Sequence, residues 1–140
     1  LLGTDKSNRL PIFSFAVRDN HGGYVHHQLF TRLLSDVTGI QARGGCVCAG
    51  PYGHQLLNVG QKHSEKIQSA ILDGMEIEKP GWIRLNFSYL MDDETADLII
   101  KGVDELSYNV SQYSELYRAD ETTANFTHHK FNSQEWRVAV

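Results

Sequence analysis

Three residues within one glycine-rich segment carry the side chains best suited to chemistry. The segment runs from Gly39 to Gly53 and contains Arg43 and the two cysteines of the chain, Cys46 and Cys48. A guanidinium can hold a carboxylate through two parallel hydrogen bonds, and a cysteine becomes a nucleophile as its thiolate. These residue types therefore predict a binding corner for an amino acid. The alternative that the spacing leaves open is a turn after a helix, holding two buried and inert cysteines.

Residues 43–51 read RGGCVCAGP. This segment resembles a motif of the class V pyridoxal-phosphate enzymes, which have fold type I. Cysteine desulfurases of that family carry R-x-G-x-x-C-A-x-P in their C-terminal small domain. The resemblance implies that Arg43 binds the substrate carboxylate and that Cys48 accepts sulfur only if the enzyme is desulfurase-like. Cys46 and Val47 replace paired histidines of those desulfurases. Because these histidines are replaced, the resemblance is to class V enzymes in general, including aminotransferases and lyases, and not to the desulfurases in particular.

A second segment, residues 84–94, adds to this resemblance. Residues 84–89 read RLNFSY and precede three acidic residues. They are similar to the family's R-x-S-x-x-Y strand and the acid-capped helix that follows it, with Asn86 at the serine position. The resemblance covers the chain from Leu10 to about Tyr108.

The resemblance also implies what this chain leaves to other parts of the protein. We expect the C-terminal domain of a pyridoxal-phosphate-dependent class V aminotransferase or cysteine desulfurase-like enzyme that acts on an amino acid. The cofactor lysine belongs to a large domain of the same polypeptide, in a Ser-Lys or His-Lys motif followed by glycines. The only His-Lys pair here, His129-Lys130, lacks those glycines. The cofactor would then be bound mainly by the large domain of a homodimer, and this fragment would be inactive alone.

A stand-alone module is the alternative function. It would bind a small carboxylate through the glycine-rich loop, or serve as an interaction module, without catalysis.

Composition and charge exclude several partners. The net charge is -4, and no run of lysine or arginine forms a basic stripe, so we expect neither nucleic acid nor membrane as a partner. The apolar stretches are too short to span a bilayer. Two cysteines separated by one residue make a strained disulfide. We therefore expect reduced thiols and a cytoplasmic protein.

Histidine-containing groups raise the question of a metal site. Structural zinc sites favour two ligand pairs, and tandem histidines on a helix diverge by a wide angle. The groups to consider are Cys46 and Cys48 with His54, His26 with His27, and His128 with His129. Since one suitable cysteine pair is present instead of two, we expect no metal, and we expect His26 and His27 to be exposed or half-buried.

Apolar spacing predicts three strands, each followed by a helix. The predicted strands are Leu10–Val17, Ile40–Cys48 and Trp82–Tyr89, and the predicted helices are Tyr24–Thr38, Ser64–Asp73 and one that starts at Asp92 or Asp93 and runs past Leu106. In the last helix the predicted buried stripe is Ala96, Ile99, Ile100, Val103 and Leu106. The pattern indicates an α/β (α+β) fold with helices covering one face of a small sheet. The resemblance implies that this sheet is mostly antiparallel, as in the small domain of a fold-type I enzyme.

Strand alternation predicts which side chains share a face. Ile83, Leu85, Phe87 and Tyr89 should form a core face, with Arg84 on the other side, meeting solvent or bordering a site. In a regular strand Arg43 would lie opposite both cysteines. We expect Gly44 and Gly45 to break that regularity and bring arginine and thiol together.

The chain divides into two parts. Residues 1–112 form the predicted small domain, and residues 113–140 form a polar extension that either packs or is partly disordered.

Overall fold

The computed structural model describes residues 1–2, 10–46 and 50–130. These residues form four helices, a three-stranded antiparallel sheet and a two-stranded antiparallel hairpin. The strands are β1 (Ile12–Phe15), β2 (Arg43–Cys46), β3 (Gly81–Asn86), β4 (Tyr117–Asp120) and β5 (Asn125–His128); the helices are α1 (His27–Leu33), α2 (Pro51–Leu56), α3 (Gln61–Leu72) and α4 (Asp93–Ser114). The predicted mixed α/β class with a small antiparallel sheet is confirmed.

The sheet has the order β1-β3-β2, so the last of its strands in sequence lies in the centre. On one side of β3, Ser14 lies opposite Arg84 and Phe15 lies opposite Ile83. On the other side, Arg43 lies opposite Arg84 and Gly44 opposite Ile83. Each row of residues therefore crosses all three strands.

Helix α1 provides the centre of the core. Its apolar residues follow helical spacing, and Phe30 and Leu33 are fully buried. His26 caps the helix, because its Nδ1 accepts a hydrogen bond from the Gln28 amide at 3.2 Å. The helix continues into a π-helical turn, Leu34–Thr38, which ends at Gly39 with φ of 73°. This positive φ suits glycine, and the helical segment ends at Thr38 as predicted.

Helix α1 packs against one face of the sheet. The rings of Phe15 and Phe30 meet edge to face with centroids 6.2 Å apart, and Ile83 beside them is completely buried. Leu106 and Val110 of α4 belong to the same core cluster. Burial of these side chains provides most of the hydrophobic stabilisation of the fold.

Helix α4 begins as predicted, since the Asp92 side chain accepts a hydrogen bond from the Thr95 amide at 2.7 Å. Its buried stripe is shifted toward the C-terminus. Ile100 is 57% exposed and lines an apolar groove of about 1360 Å³ between α4 and the sheet. The predicted burial of Ile100 is therefore wrong, because the sheet does not close against this part of the helix.

Tyr89 also departs from its predicted place in the core. It is 91% exposed, because β3 ends at Asn86 and the chain turns away before α4. The alternation that buries Ile83 and Leu85 does not continue past the end of the strand.

The C-terminal extension contains the hairpin of β4 and β5. Tyr117 and Phe126 pack against the core, and the Tyr117 hydroxyl donates to the Asp36 carboxylate at 2.7 Å. Burial and this hydrogen bond raise the pKa of Tyr117 to about 12. The hairpin is thus tied to the turn that follows α1; residues 131–140 lie outside the described ranges.

Across residues 1–2, 10–46 and 50–130, no helix has the length and apolar character needed to cross a membrane.

Candidate functional site

The two faces of the three-stranded sheet have opposite character. We call the side that carries Ser14, Arg43 and Arg84 the open face, and the side that carries Gly44 and Ile83 the closed face. Helix α1 packs on the closed face, where Ile83 is buried. On the open face both arginines are exposed. The open face is therefore the part of the sheet able to meet a ligand.

Arg43 and Arg84 lie directly opposite each other on β2 and β3. The Cβ atoms of such antiparallel neighbours are about 4.5–5.5 Å apart, and like charges in this position repel each other. Neither guanidinium forms an ion pair or a hydrogen bond with any residue in the described ranges. Two uncompensated cations in adjacent positions make a favourable place for an anion.

Ser14 extends this arginine pair into a row across the sheet. It lies opposite Arg84 on β1 and is half-buried. Its hydroxyl can donate or accept one hydrogen bond beside the two guanidinium groups. The row Ser14-Arg84-Arg43 thus offers a set of donors that fits a carboxylate with a neighbouring polar group.

Gly44 and Gly45 do not break the strand. The pairing of β2 with β3 runs without interruption from Arg43 to Cys46, so the predicted irregularity is wrong. Gly44 is required for a different reason: a Cβ there would lie 2.4 Å from Thr31 Oγ1 and 3.0 Å from the His27 carbonyl oxygen. The glycine permits close approach of α1, and regular alternation places Arg43 on the open face.

The predicted catalytic cysteine cannot be placed relative to this row. Cys48 lies outside the described residues, and its role stays a prediction. Strand β2 ends at Cys46, whose backbone is opposite Gly81. The structure therefore brings Arg43 together with Arg84 and Ser14.

The tandem histidines differ in their surroundings. His26 is half-buried, as expected, and its Nε2 donates to the Ile77 carbonyl at 3.1 Å. His27 is 6% exposed, so the expectation of an exposed or half-buried residue is wrong for it. Space for its ring comes from Gly81, where a Cβ would lie 2.6 Å from His27 Cε1.

Burial governs the protonation of both histidines. It lowers the pKa of His26, although the bond to Ile77 and the charge of Glu78 act in the opposite direction. It lowers the pKa of His27 to about 4, with a further contribution from the neighbouring His26. Both rings are therefore neutral at pH 7. No three His, Cys, Asp or Glu side chains within the described ranges are placed to hold a metal ion.

The sequence predicted that Arg84 meets solvent or borders a site, but not that it lies beside Arg43. Alternation along β3 put it on the polar face, and the second family-like segment begins at this residue. Its position opposite Arg43 depends on the pairing of β2 with β3, two strands that are separated by α2 and α3. That register cannot be read from the sequence.

Comparisons with protein-family models, curated protein sequences and solved structures gave no match. The geometry of the open face and the sequence motifs are therefore the basis for a proposed function.

Proposed function

We propose that this chain is the C-terminal small domain of a pyridoxal-phosphate-dependent class V aminotransferase or cysteine desulfurase-like enzyme that acts on an amino acid. Arg43 binds the substrate carboxylate. The observation that supports this most is the exposed pair of Arg43 and Arg84, opposite each other and without an acidic partner in the described ranges. The motif RGGCVCAGP, which contains Arg43, supplies the family resemblance.

The arginine pair suits the carboxylate of an amino acid in charge and shape. A guanidinium fork matches the two carboxylate oxygens, and the second guanidinium adds a positive charge on the same side. A hydrogen bond to a charged group contributes about 1.5–3 kcal/mol. Substrate binding would also relieve the repulsion between the two arginines, so the free energy of this repulsion becomes part of the binding free energy.

The open face fits the substrate better than it fits the cofactor. Bound pyridoxal phosphate would supply stabilisation of negative charge at the substrate's α-carbon. Its attachment needs a lysine, and the described residues on the open face provide arginine, serine, asparagine and tryptophan. In this proposal the large domain of the same polypeptide holds the cofactor, and Arg43 and Arg84 orient the substrate carboxylate. A cytoplasmic homodimer is part of the same proposal.

Cys48 distinguishes two reactions within the family. In a desulfurase its thiolate would attack the substrate sulfur, forming a persulfide as the substrate C–S bond breaks with its electron pair left on the substrate carbon; sulfide then leaves when an added thiol reduces the persulfide. In an aminotransferase Cys48 has no chemical step. We expect sulfide release from cysteine to disappear in Cys48→Ala if the enzyme is a desulfurase. Transamination that is unaffected by Cys48→Ala would exclude that branch.

The first experiment tests the cofactor. The polypeptide encoded by the native gene is purified, and its absorbance is recorded before and after borohydride. A chromophore that borohydride reduces would support a lysine-bound pyridoxal group. Its absence in a polypeptide no longer than this chain would favour the alternative, a stand-alone carboxylate-binding or interaction module without catalysis.

The second experiment tests the role of Arg43. We expect Arg43→Lys to weaken amino-acid binding about 10- to 100-fold, because an ammonium cannot form the bidentate pair. Arg118→Lys is the matched control, since Arg118 is exposed on β4 of the separate hairpin. Unchanged affinity in Arg43→Lys, measured by calorimetry or as KM, would contradict the assignment.

A further inference from the structure

A second cavity lies away from the open face, beside the N-terminus of α1. Its volume is about 510 Å³, which is within the range of small-molecule sites. Helix α3, the segment before β3 and the start of β3 enclose it. The residues that matter for its chemistry are His26, His27, His63, Leu57, Ile67 and Ile77.

His27 gives this cavity a buried hydrogen-bonding group. Its side chain lines the cavity, is 6% exposed and makes no hydrogen bond to any residue within the described ranges. The ring stacks on His26, with centroids 4.4 Å apart and planes inclined by 28°. The ring nitrogens keep access to solvent, because no fully buried side-chain nitrogen or oxygen in the described residues lacks a hydrogen-bond partner. They are therefore open to a hydrogen bond with a ligand in the cavity.

His26 differs from His27 in its hydrogen bonds. Its two nitrogens are both occupied, one by the amide of Gln28 and the other by the carbonyl of Ile77. Of the two stacked histidines, His27 is therefore the one that can pair with a ligand, beside the other polar lining residues Asn58, His63 and Glu78.

The surroundings of His27 select the kind of ligand. Leu57, Ile67 and Ile77 provide an apolar wall, which suits an apolar body. The same burial that keeps His27 neutral also penalises an ionised group inside the cavity. The cations at the rim have partners already: Arg18 lies over the Tyr24 ring, and Lys79 is paired with Glu76.

We propose that this cavity binds a small uncharged molecule that has an apolar body and one hydrogen-bonding group paired with His27. The site is independent of the arginine pair, because the two lie on opposite sides of the sheet.

The test uses two probes of nearly equal shape. The 140-residue protein, labelled with ¹⁵N, is titrated at pH 7.5 with phenol and, separately, with fluorobenzene, and amide shifts are followed. We expect saturable shifts around Ile67 and Ile77, with phenol binding about tenfold or more tightly than fluorobenzene, since one hydrogen bond in a buried site is worth about that factor. Equal binding of both probes, or no saturable shifts at the cavity, would overturn the proposal.

Two variants locate the interaction. His27→Phe keeps a ring in place but removes the hydrogen-bonding atoms, so phenol affinity should fall to that of fluorobenzene. The control His21→Phe, in an exposed turn, should leave phenol binding unchanged. Phenol binding to His27→Phe at the affinity of the unmodified protein would contradict a role for His27.

A cavity-filling variant covers the case in which His27→Phe fails to fold. Val59 is half-buried and lines the same cavity. Val59→Phe should abolish the binding of both probes while His27 stays intact. If phenol still binds Val59→Phe with undiminished affinity, the ligand site is elsewhere.

Discussion

The closed and open faces of the three-stranded sheet differ in whether their residues are buried by packing or exposed to solvent. On β3, Ile83 is completely buried against α1, while its neighbour Arg84 is exposed opposite a second arginine. On the closed face, packing explains the type of each residue that we have described. On the open face, two adjacent cations weaken the sheet slightly, and neither forms an ion pair with any residue that the structure describes. Residues that lower the stability of a fold and have no structural role indicate a binding site, because functional sites often reduce stability.

The two adjacent glycines of β2 allow the sharpest test of this contrast. Gly44→Ala should destabilise the fold by about 1–3 kcal/mol, since the new Cβ would overlap Thr31 Oγ1 and crowd the His27 carbonyl. Gly45→Ala is the matched control on the open face, where a Cβ meets nothing within 4 Å. Urea denaturation monitored by circular dichroism measures both.

We expect Gly45→Ala to be neutral or slightly stabilising, because alanine reduces the entropy of the unfolded chain. If the two variants lose stability equally, the closed and open faces do not differ in the way we describe.

Lowering the pH should reduce the free energy of unfolding, because His27 is buried on the closed face. Burial holds the pKa of His27 at about 4, below its value of 6.5 in the unfolded chain. The unfolded state therefore takes up the proton more readily, so this contribution to stability is complete above pH 6.5 and is lost as the pH falls toward 4. The urea midpoint measured at several pH values between 7.5 and 4 should fall.

Variants separate His27 from the other titrating groups. His27→Phe should show a smaller decrease across this pH range, whereas His21→Phe should follow the unmodified protein. A decrease of the same size in His27→Phe would assign the effect to His26, which is also held neutral by burial, or to carboxylates.

The smallest expected effect concerns the open face. Arg43→Gln should raise stability by about 0.2–1 kcal/mol at low ionic strength, because it removes the repulsion with Arg84. The gain should shrink as salt is added, since ions screen exposed charges. Chemical denaturation by urea at two ionic strengths measures it, with Arg118→Gln as the control. Destabilisation by more than 1 kcal/mol would mean that Arg43 supports the fold.

Local sequence signals predicted the elements that carry the closed face. Helical spacing located α1, and the acidic residue Asp92 correctly marked the start of α4. Period-two alternation separated Ile83 from Arg84. These predictions succeed because each depends on residues that are neighbours in the chain.

Features that depend on distant residues escaped prediction. The burial of His27 requires Gly81, and the pairing of Arg43 with Arg84 requires the register of two separated strands. The hairpin of β4 and β5 consists of four-residue strands with little periodicity, and its turn places Ala124 at a φ of 54°. Short helix α2, with Pro51 at its first turn, was also missed.

The central position of β3 sets the order of events while the chain is being made. Among the described strands, β2 pairs with β3 alone, so it has no strand partner there until Gly81–Asn86 has left the ribosome. At about 5–20 residues per second, the thirty-odd residues between β2 and β3 take a few seconds to synthesise. During that interval β2 lacks the strand that it pairs with in the folded sheet, and an unpaired strand is a hazard for aggregation. A nascent chain stalled before residue 81 should therefore depend on chaperones far more than one stalled after β3 is free to fold.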